Sequence, residues 1–294
     1  MIAAIDIGAT TIKAALVTAT GNIESRVEAL TPSSAGSDAV LDCVADLVFE
    51  LSQLHTPVAI GVGSCGLVDA RGRVVETTAT MPGWAGTDIP AAIKHRTGYF
   101  CTADNDGNVA ALGEALCGAG RGVRSLAMLV LGTGVGGGIV IDGRIFHGAG
   151  SMAGTFGHLC VKPGGRTCAC GARGCLEAYA SAWAMRRYAG RDAHEVFAQV
   201  QTGDSAFAEH IAEAADALGL ALASIAHALN PAMIVIGGGV ARGWSLLAGA
   251  ALARFADSTL PCARSSTRIV PASLGSDAGI IGAAMLAAGS LAAT

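Results

Sequence analysis

The chain opens on an apolar run, Ile2 to Ile7, which breaks at Gly8-Ala9-Thr10-Thr11 and resumes through Val17. Short apolar runs bounded by glycine and threonine predict two strands joined by a tight turn. A Thr20-Gly21-Asn22 turn leads to a third strand near Ser25 to Leu30. Val40, Leu41, Val44, Leu47, Val48, Leu51 and Leu54 then recur at helical spacing behind Ser37, which is placed to cap that helix. Pro57 opens a further apolar strand, Val58 to Val62, running into a glycine-containing loop.

The pattern begins again near residue 125. Leu126 to Leu131 is an apolar strand, Gly132 to Gly138 a glycine turn, and Ile139 to Ile141 the start of a returning strand, with Asp142-Gly143 as the next hairpin turn. A strand, a Gly/Thr turn and a second strand thus occur twice, half a chain apart. This is either an internal duplication or an accident of a glycine-rich sequence. Farther on, Phe207, Ile211, Ala214, Leu218, Leu222, Ile225 and Leu229 mark one long amphipathic helix ended by Pro231. Met233 to Ile236 reads as a buried strand, and a strand around Ile269 and a helix after Asp277 close the chain. Hairpins mixed with strand–helix alternation predict two α/β layers with a cleft between them.

Composition narrows the classes. Of 294 residues, 52% are hydrophobic and 14% charged, so extensive packing is expected rather than disorder. A net charge of −4 and 4% aromatic residues offer neither a basic field nor stacking platforms for nucleic acid. The apolar stretches Leu126 to Ile141 and Ala278 to Ala293 are shorter than the ~20 residues of a membrane span, so buried elements are expected there. No basic segment precedes the first strand, so no signal peptide is expected and a cytoplasmic setting is.

The glycine turns carry candidate chemistry. Asp6-Ile7-Gly8-Ala9-Thr10-Thr11-Ile12-Lys13 puts a carboxylate at a strand end beside small hydroxyl residues. Glycine lets backbone N–H groups converge on phosphate oxygens, and the carboxylate can hold hydrated Mg²⁺. An ordinary hairpin would read the same way. Gly132-Thr133-Gly134-Val135-Gly136-Gly137-Gly138 offers this chemistry more strongly, since five glycines in seven residues carry an entropic cost that close ligand approach explains. It is not a Walker A loop, and a strand follows it where a Rossmann helix would start. Gly237-Gly238-Gly239, after the Met233 strand, could let an adenine ring lie on bare backbone. Together the three loops favour a clasp around ATP.

Nine cysteines, three of them within eight residues, argue against a disulfide framework. His158 with Cys168, Cys170 and Cys175 forms a set whose three thiolates and one imidazole complete a closed tetrahedral zinc shell, with Gly171 and Gly174 to make the sharp turns. Cys160 lies nearby but off this pattern. Asp104-Asn105-Asp106-Gly107-Asn108 follows an apolar Tyr99 to Thr102 strand and precedes a helix expected near Val109. A carboxylate at such a strand end could take the proton of an attacking hydroxyl, although Asp106 or Asn108 could equally cap the helix.

These motifs, from Leu131 through Gly157-His158 to Cys-x-Cys-Gly-x-x-Gly-Cys-x-Glu, resemble the ROK family (repressors, open reading frames and kinases) of the actin-like ATPase superfamily, over essentially the whole chain. The resemblance implies a two-domain actin-like (ribonuclease H-like) α/β fold, divided as 1–108 plus 277–294 and 109–276, and a homodimer. It implies ATP-dependent phosphorylation of a primary hydroxyl of a hexose-like sugar. Asp106 would be the base, and Gly66, Asn105, Asp106, Thr155, His158 and Glu177 the sugar contacts. Asp6, Gly8, Thr10, Thr11, Lys13, Gly132, Thr133, Gly134, Gly136 and Gly237 to Gly239 would hold the nucleotide and Mg²⁺. His158 would serve both zinc and sugar.

The chain departs from the family where Ala153-Gly154-Thr155-Phe156-Gly157-His158 has threonine in place of the usual glutamate. Threonine is shorter and neutral. A second departure, Thr77-Thr78-Ala79-Thr80 before Pro82-Gly83-Trp84, replaces a common asparagine, and Gly107 stands where alanine is usual. The changes fall on the sugar side, so an N-acylhexosamine or a C7-cyclitol joins glucose as a candidate substrate. A repressor would need a helix-turn-helix before the first phosphate loop, for which residue 6 leaves no room. A sugar sensor without catalysis is the remaining rival.

Overall fold

In the computed structural model, residues 1–77, 81–202 and 205–292 are described. The contrast at Thr78-Ala79-Thr80 therefore lies outside the described residues. The chain is mixed α/β and divides into two compact units, Met1–Gly122 with Gly138–Ala153 and Ser276–Thr294, and Val123–Gly137 with Gly154–Gly275.

The first unit runs β1 (Ile2–Ile7), β2 (Thr11–Val17), β3 (Ile23–Leu30), α1 (Ser37–Leu54), β4 (Ile60–Ser64), β5 (Leu67–Val68), β6 (Val74–Glu76), α2 (Ile89–Thr97), β7 (Cys101–Asn105) and α3 (Asp106–Cys117). Its sheet has the order β3-β2-β1-β4-β7, with hairpin partners antiparallel and β1, β4 and β7 parallel. The second set runs β8 (Ser125–Leu131), β9 (Val135–Ile141), β10 (Arg144–Ile145), α4 (Glu177–Ala180), α5 (Ala182–Ala184), α6 (Ala193–Gln201), α7 (Ala208–Leu229), β11 (Met233–Gly237), α8 (Trp244–Ser258), α9 (Pro261–Ser266) and β12 (Arg268–Pro271), before α10 (Ala278–Ala292). Its sheet order, β10-β9-β8-β11-β12, copies the first strand for strand, with β8, β11 and β12 again parallel. The repeat in the sequence is thus a duplication of topology. Strand β9 carries the chain across the division, so its last residues and β10 group with the first unit.

The division differs from the expected one at residue 108. Helix α3 stays with the first unit because α10 packs along it and along β4 and β1. The two helices approach so closely that a Cβ on Gly282 would strike the Val109 carbonyl, and α10 lies so near β4 that one on Gly61 would strike the Ala283 carbonyl. Only glycine permits such contact. Helices α7 and α10 are long and apolar enough to cross a membrane by composition alone, yet more than half of the α7 window and 44% of the α10 window are buried inside the protein. Core packing accounts for them.

Two helix starts differ from expectation. Gly36, not Ser37, occupies the N-cap of α1, and no side chain caps it. Helix α3 begins at Asp106 rather than near Val109, because the Asn105 side chain caps it by accepting from Gly107 N (2.9 Å) and Asn108 N (3.2 Å). The capping role offered to Asp106 or Asn108 therefore belongs to Asn105.

Candidate functional site

In the first unit, the β1–β2 hairpin pairs Asp6 with Lys13 across the ladder. Gly8 N donates to Thr11 O (3.1 Å), and the Thr31 hydroxyl donates to Gly8 O (2.7 Å), so the turn is held from two sides. Thr31 N also donates to Thr10 O (3.0 Å). Burial pushes the Asp6 carboxyl up, and Lys13 partly counters it. A half-buried carboxylate short of compensating charge suits a hydrated cation. Lys13 also lines a cavity of about 400 Å³ with Arg26, Glu28, Ser276 and Asp277. Arg26 and Asp277 form a two-pronged ion pair in its wall (2.6 and 2.7 Å).

At the end of β7, Asn105 Nδ2 donates to Gly66 O (2.8 Å) and to Asp106 Oδ1 (2.9 Å), while Gly107 N also reaches Asp106 Oδ1 (2.7 Å). Both amide hydrogens of Asn105 are thus spent inside the protein, on the Asp106 carboxylate and on the segment at Gly66. Gly66 holds φ +94°, which orients that carbonyl. Burial among protein atoms, then the Asp6 carboxylate, push Asp106 up to about 6, against these hydrogen bonds. Solvent still reaches the side chain, so the upward direction is what bears on its chemistry. Oδ1 is fixed and Oδ2 is left to accept a proton.

Two neighbours have partners that carried no signal in the sequence. Asp104, 2% exposed, accepts from Asn105 N (2.7 Å) and Asn108 Nδ2 (2.8 Å) through Oδ1, and its Oδ2 meets His147 Nε2 at 2.6 Å. This bond raises the His147 pKa. Cys65 stands at the end of β4, where burial and then Asp106 and Asp6 push its thiol up to about 12. Neither partnership is visible along the chain, because the residues concerned lie some 40 positions apart.

In the second unit the glycine loop divides by purpose. A Cβ at Gly137 would strike Met128 O, the Phe156 ring and Gly154 O, and one at Gly134 would strike Glu177 Oε2. These glycines make room for protein. Gly136 has open space where its side chain would be, and Gly132 has nothing nearer than 3.9 Å. At those two positions the space a side chain would fill is left open. The same split holds after β11, where Gly238 (φ +93°) packs on the Leu131 backbone and Gly239 faces open space. A Cβ at Gly237 would meet Met128 Cε at 2.6 Å, so it too serves packing. Thr133 is held through its carbonyl, which accepts from Trp183 N (2.9 Å).

His158, Cys168, Cys170 and Cys175 come together with all four ligand atoms within 4.8 Å of one another. Cys170 Sγ lies 3.8 Å from Cys175 Sγ, and Cys168 Sγ 4.0 Å from His158 Nδ1. A tetrahedron with ~2.3 Å metal–sulfur bonds has edges of ~3.8 Å, so the set fits a zinc ion. Gly171 and Gly174 take φ +88° and +86° to fold the loop back on itself. Arg166 anchors it, its guanidinium between the Tyr179 and Tyr188 rings (4.9 and 4.6 Å) and paired with Glu213.

Thr155 stands at the start of the one-turn helix Phe156–His158, with its carbonyl accepting from His158 N (3.1 Å). Gly157 packs against the Val135 backbone and so sets His158 beside the glycine loop. Glu177, at the start of α4, joins the two features: Oε2 accepts from Val135 N (3.0 Å) and Oε1 from the Cys168 thiol (3.4 Å).

The sequence model of the ROK family matches residues 2–290. A glucokinase from Thermotoga maritima is 33% identical over 96% of this chain and 95% of its own length. An N-acetylmannosamine kinase from Escherichia coli is 32% identical over 97% of this chain and 98% of its own. The crystal structure of a ROK family glucokinase from Streptomyces griseus with glucose and AMPPNP superimposes with a TM-score of 0.84 at 31% identity, covering 98% of this chain and 99% of that one. Matches this complete, on a chain that duplicates one sheet topology and gathers a His-Cys₃ cluster beside a glycine loop, place the protein in the ROK family.

Proposed function

We propose that the protein transfers the γ-phosphoryl group of ATP to a primary hydroxyl of a hexose or hexose-like sugar. One observation carries this reading: Asp106, held through Oδ1 by Asn105 and Gly107 with its pKa raised toward neutrality, is placed to take a hydroxyl proton through Oδ2. Family membership and relatives that phosphorylate sugars support it. Asn105 acts first on Asp106 and Gly66, and reaches a sugar only by exchanging one of those bonds. The open backbone at Gly136 is offered to phosphate, beside turns that Gly8 N and Gly132 N close by donating to Thr11 O (3.1 Å) and Gly134 O (2.9 Å), and the backbone at Gly239 is offered to the adenine.

Asp6 would hold hydrated Mg²⁺, which when bound offsets phosphate charge. The His158, Cys168, Cys170 and Cys175 set would hold zinc, which has no open position when bound and acts as a structural anchor. With Nδ1 turned to the cysteines, His158 Nε2 is left as a donor to a sugar hydroxyl. Thr155 supplies no carboxylate beside that histidine, which favours a substrate other than plain glucose, such as an N-acylhexosamine or a C7-cyclitol.

The test is ATP consumption with glucose, mannose, fructose, N-acetylglucosamine, N-acetylmannosamine and a C7-cyclitol, using Asp106→Asn as control. Turnover that falls by ~10²–10⁴ in the variant supports the kinase and ranks the sugars. Sugar binding without ADP release across the panel would instead support the sensor that Thr155 keeps open.

A further inference from the structure

A fifth sulfur stands beside the four-ligand cluster. Cys160 and Cys175 face each other across an isolated antiparallel bridge. The hydrogen bonds flanking it run from Val161 N to Gly174 O (2.8 Å) and from Leu176 N to Leu159 O (2.9 Å). Bonds on either side, with none between the two residues themselves, define a non-hydrogen-bonded pair, in which opposed Cα atoms lie about 4.5 Å apart. A disulfide accepts Cα separations of about 4.4–6.8 Å. The Cys160 thiol already leans toward the opposite strand, donating to Arg173 O (3.7 Å). Its Sγ sits 3.4 Å from where a Cβ on Gly174 would stand.

The two sulfurs differ in access. Cys175 is 2% exposed and belongs to the metal set, whereas Cys160 is exposed and outside it. Cys170 is exposed as well, but a bound ion would hold the sulfur electron pairs of Cys168, Cys170 and Cys175, leaving Cys160 as the exposed sulfur of this loop that makes no metal bond. Cysteine oxidation follows such access.

We propose that Cys160 and Cys175 are an oxidation site that empties the metal cluster. This rests on the zinc reading above. A peroxide accepts two electrons from the Cys160 sulfur, giving a sulfenic acid and one water. The Cys175 sulfur then attacks the sulfenic sulfur. The new S–S bond replaces the zinc–sulfur bond, and the sulfenic oxygen leaves as water with a solvent proton. Three ligands remain, and the ion is lost. A dithiol reductant and added zinc restore the loop.

Trypsin separates the sulfurs, since cleavage after Arg144, Arg166, Arg173 and Arg186 puts Cys160, the Cys168/Cys170 pair and Cys175 on three different peptides. The experiment treats the full chain, as purified, with hydrogen peroxide and reads zinc release with a chromogenic chelator and cross-links by non-reducing peptide mass. The expected result is peptide 145–166 joined to peptide 174–186 in step with zinc release, while Cys160→Ser keeps its zinc at the dose that empties the parent. Cross-links confined to Cys168, Cys170 and Cys175, oxidation without a cross-link, or equal zinc loss from Cys160→Ser would each overturn the proposal. Zinc content before treatment stands apart from these outcomes: protein without zinc refutes the metal reading, while the cross-link still decides the pairing.

Discussion

Asp106 and Asp6 show how one carboxylate sets the chemistry of another. Asp6 adds to the burial that lifts Asp106, and only the ionised Asp106 can accept a proton. The kcat/KM of the enzyme should therefore rise with pH through about 6 and then level off; a flat profile between pH about 5 and 8 would remove Asp106 from the role of base. The same shift bears on stability. The folded pKa lies above the unfolded 3.8, so ionising Asp106 costs folding energy as pH climbs between the two values. Asp106→Asn should stabilise the fold at neutral pH by ~1 kcal/mol once solvent access is allowed for, read as a higher Tm, while turnover falls by ~10²–10⁴. His147 works with the opposite sign. Its pKa is raised by Asp104, with Asp69 adding to the effect, so the pair stabilises fully below the unfolded value of 6.5 and fades as pH rises through the folded one. Thermal melts of His147→Gln should show a deficit against the parent at acidic pH that closes in alkali.

At the level of elements, the glycine loop between β8 and β9 separates packing from binding. Gly136→Ala meets no neighbour and should keep the Tm, or raise it slightly through lower chain entropy, yet weaken ATP binding. Gly137→Ala drives a methyl into Met128 O and Phe156 and should cost ~1–3 kcal/mol by denaturant melt, whatever its effect on ATP. If both variants lose stability alike, the division is wrong. From sequence the glycines of this loop looked equivalent, because composition reports that backbone must come close to something without saying to what. The β-hairpin strands and the long α7 were legible, since their periodicity is local. The start of α3 was not, because the Asn105 cap depends on the position of Gly66 as well as on its own helix.

For the whole molecule, the duplicated sheet order and the return of α10 to the first unit matter most. Removing Ser276–Thr294 exposes the glycine faces at Gly61 and Gly113 that α10 covers, so the truncated chain should fail to give a cooperative melt. Stripping the His-Cys₃ cluster with a chelator should lower the Tm and sugar affinity together while leaving ATP affinity nearly unchanged, readable by calorimetry with each ligand alone. The amino-acid sequence by itself determined the family and the Cys/His set that the fold gathers, and it singled out the glycine turns proposed for phosphate and Thr155 as the proposed point of substrate divergence, because each is written in residue type and short spacing. Only the tertiary structure decided that Asn105 caps a helix and holds Asp106, that Glu177 joins the glycine loop to Cys168, that Asp104 meets His147, and that Cys160 faces Cys175. Those partnerships are set by strand register and turns that bring distant segments side by side, and no local pattern encodes them.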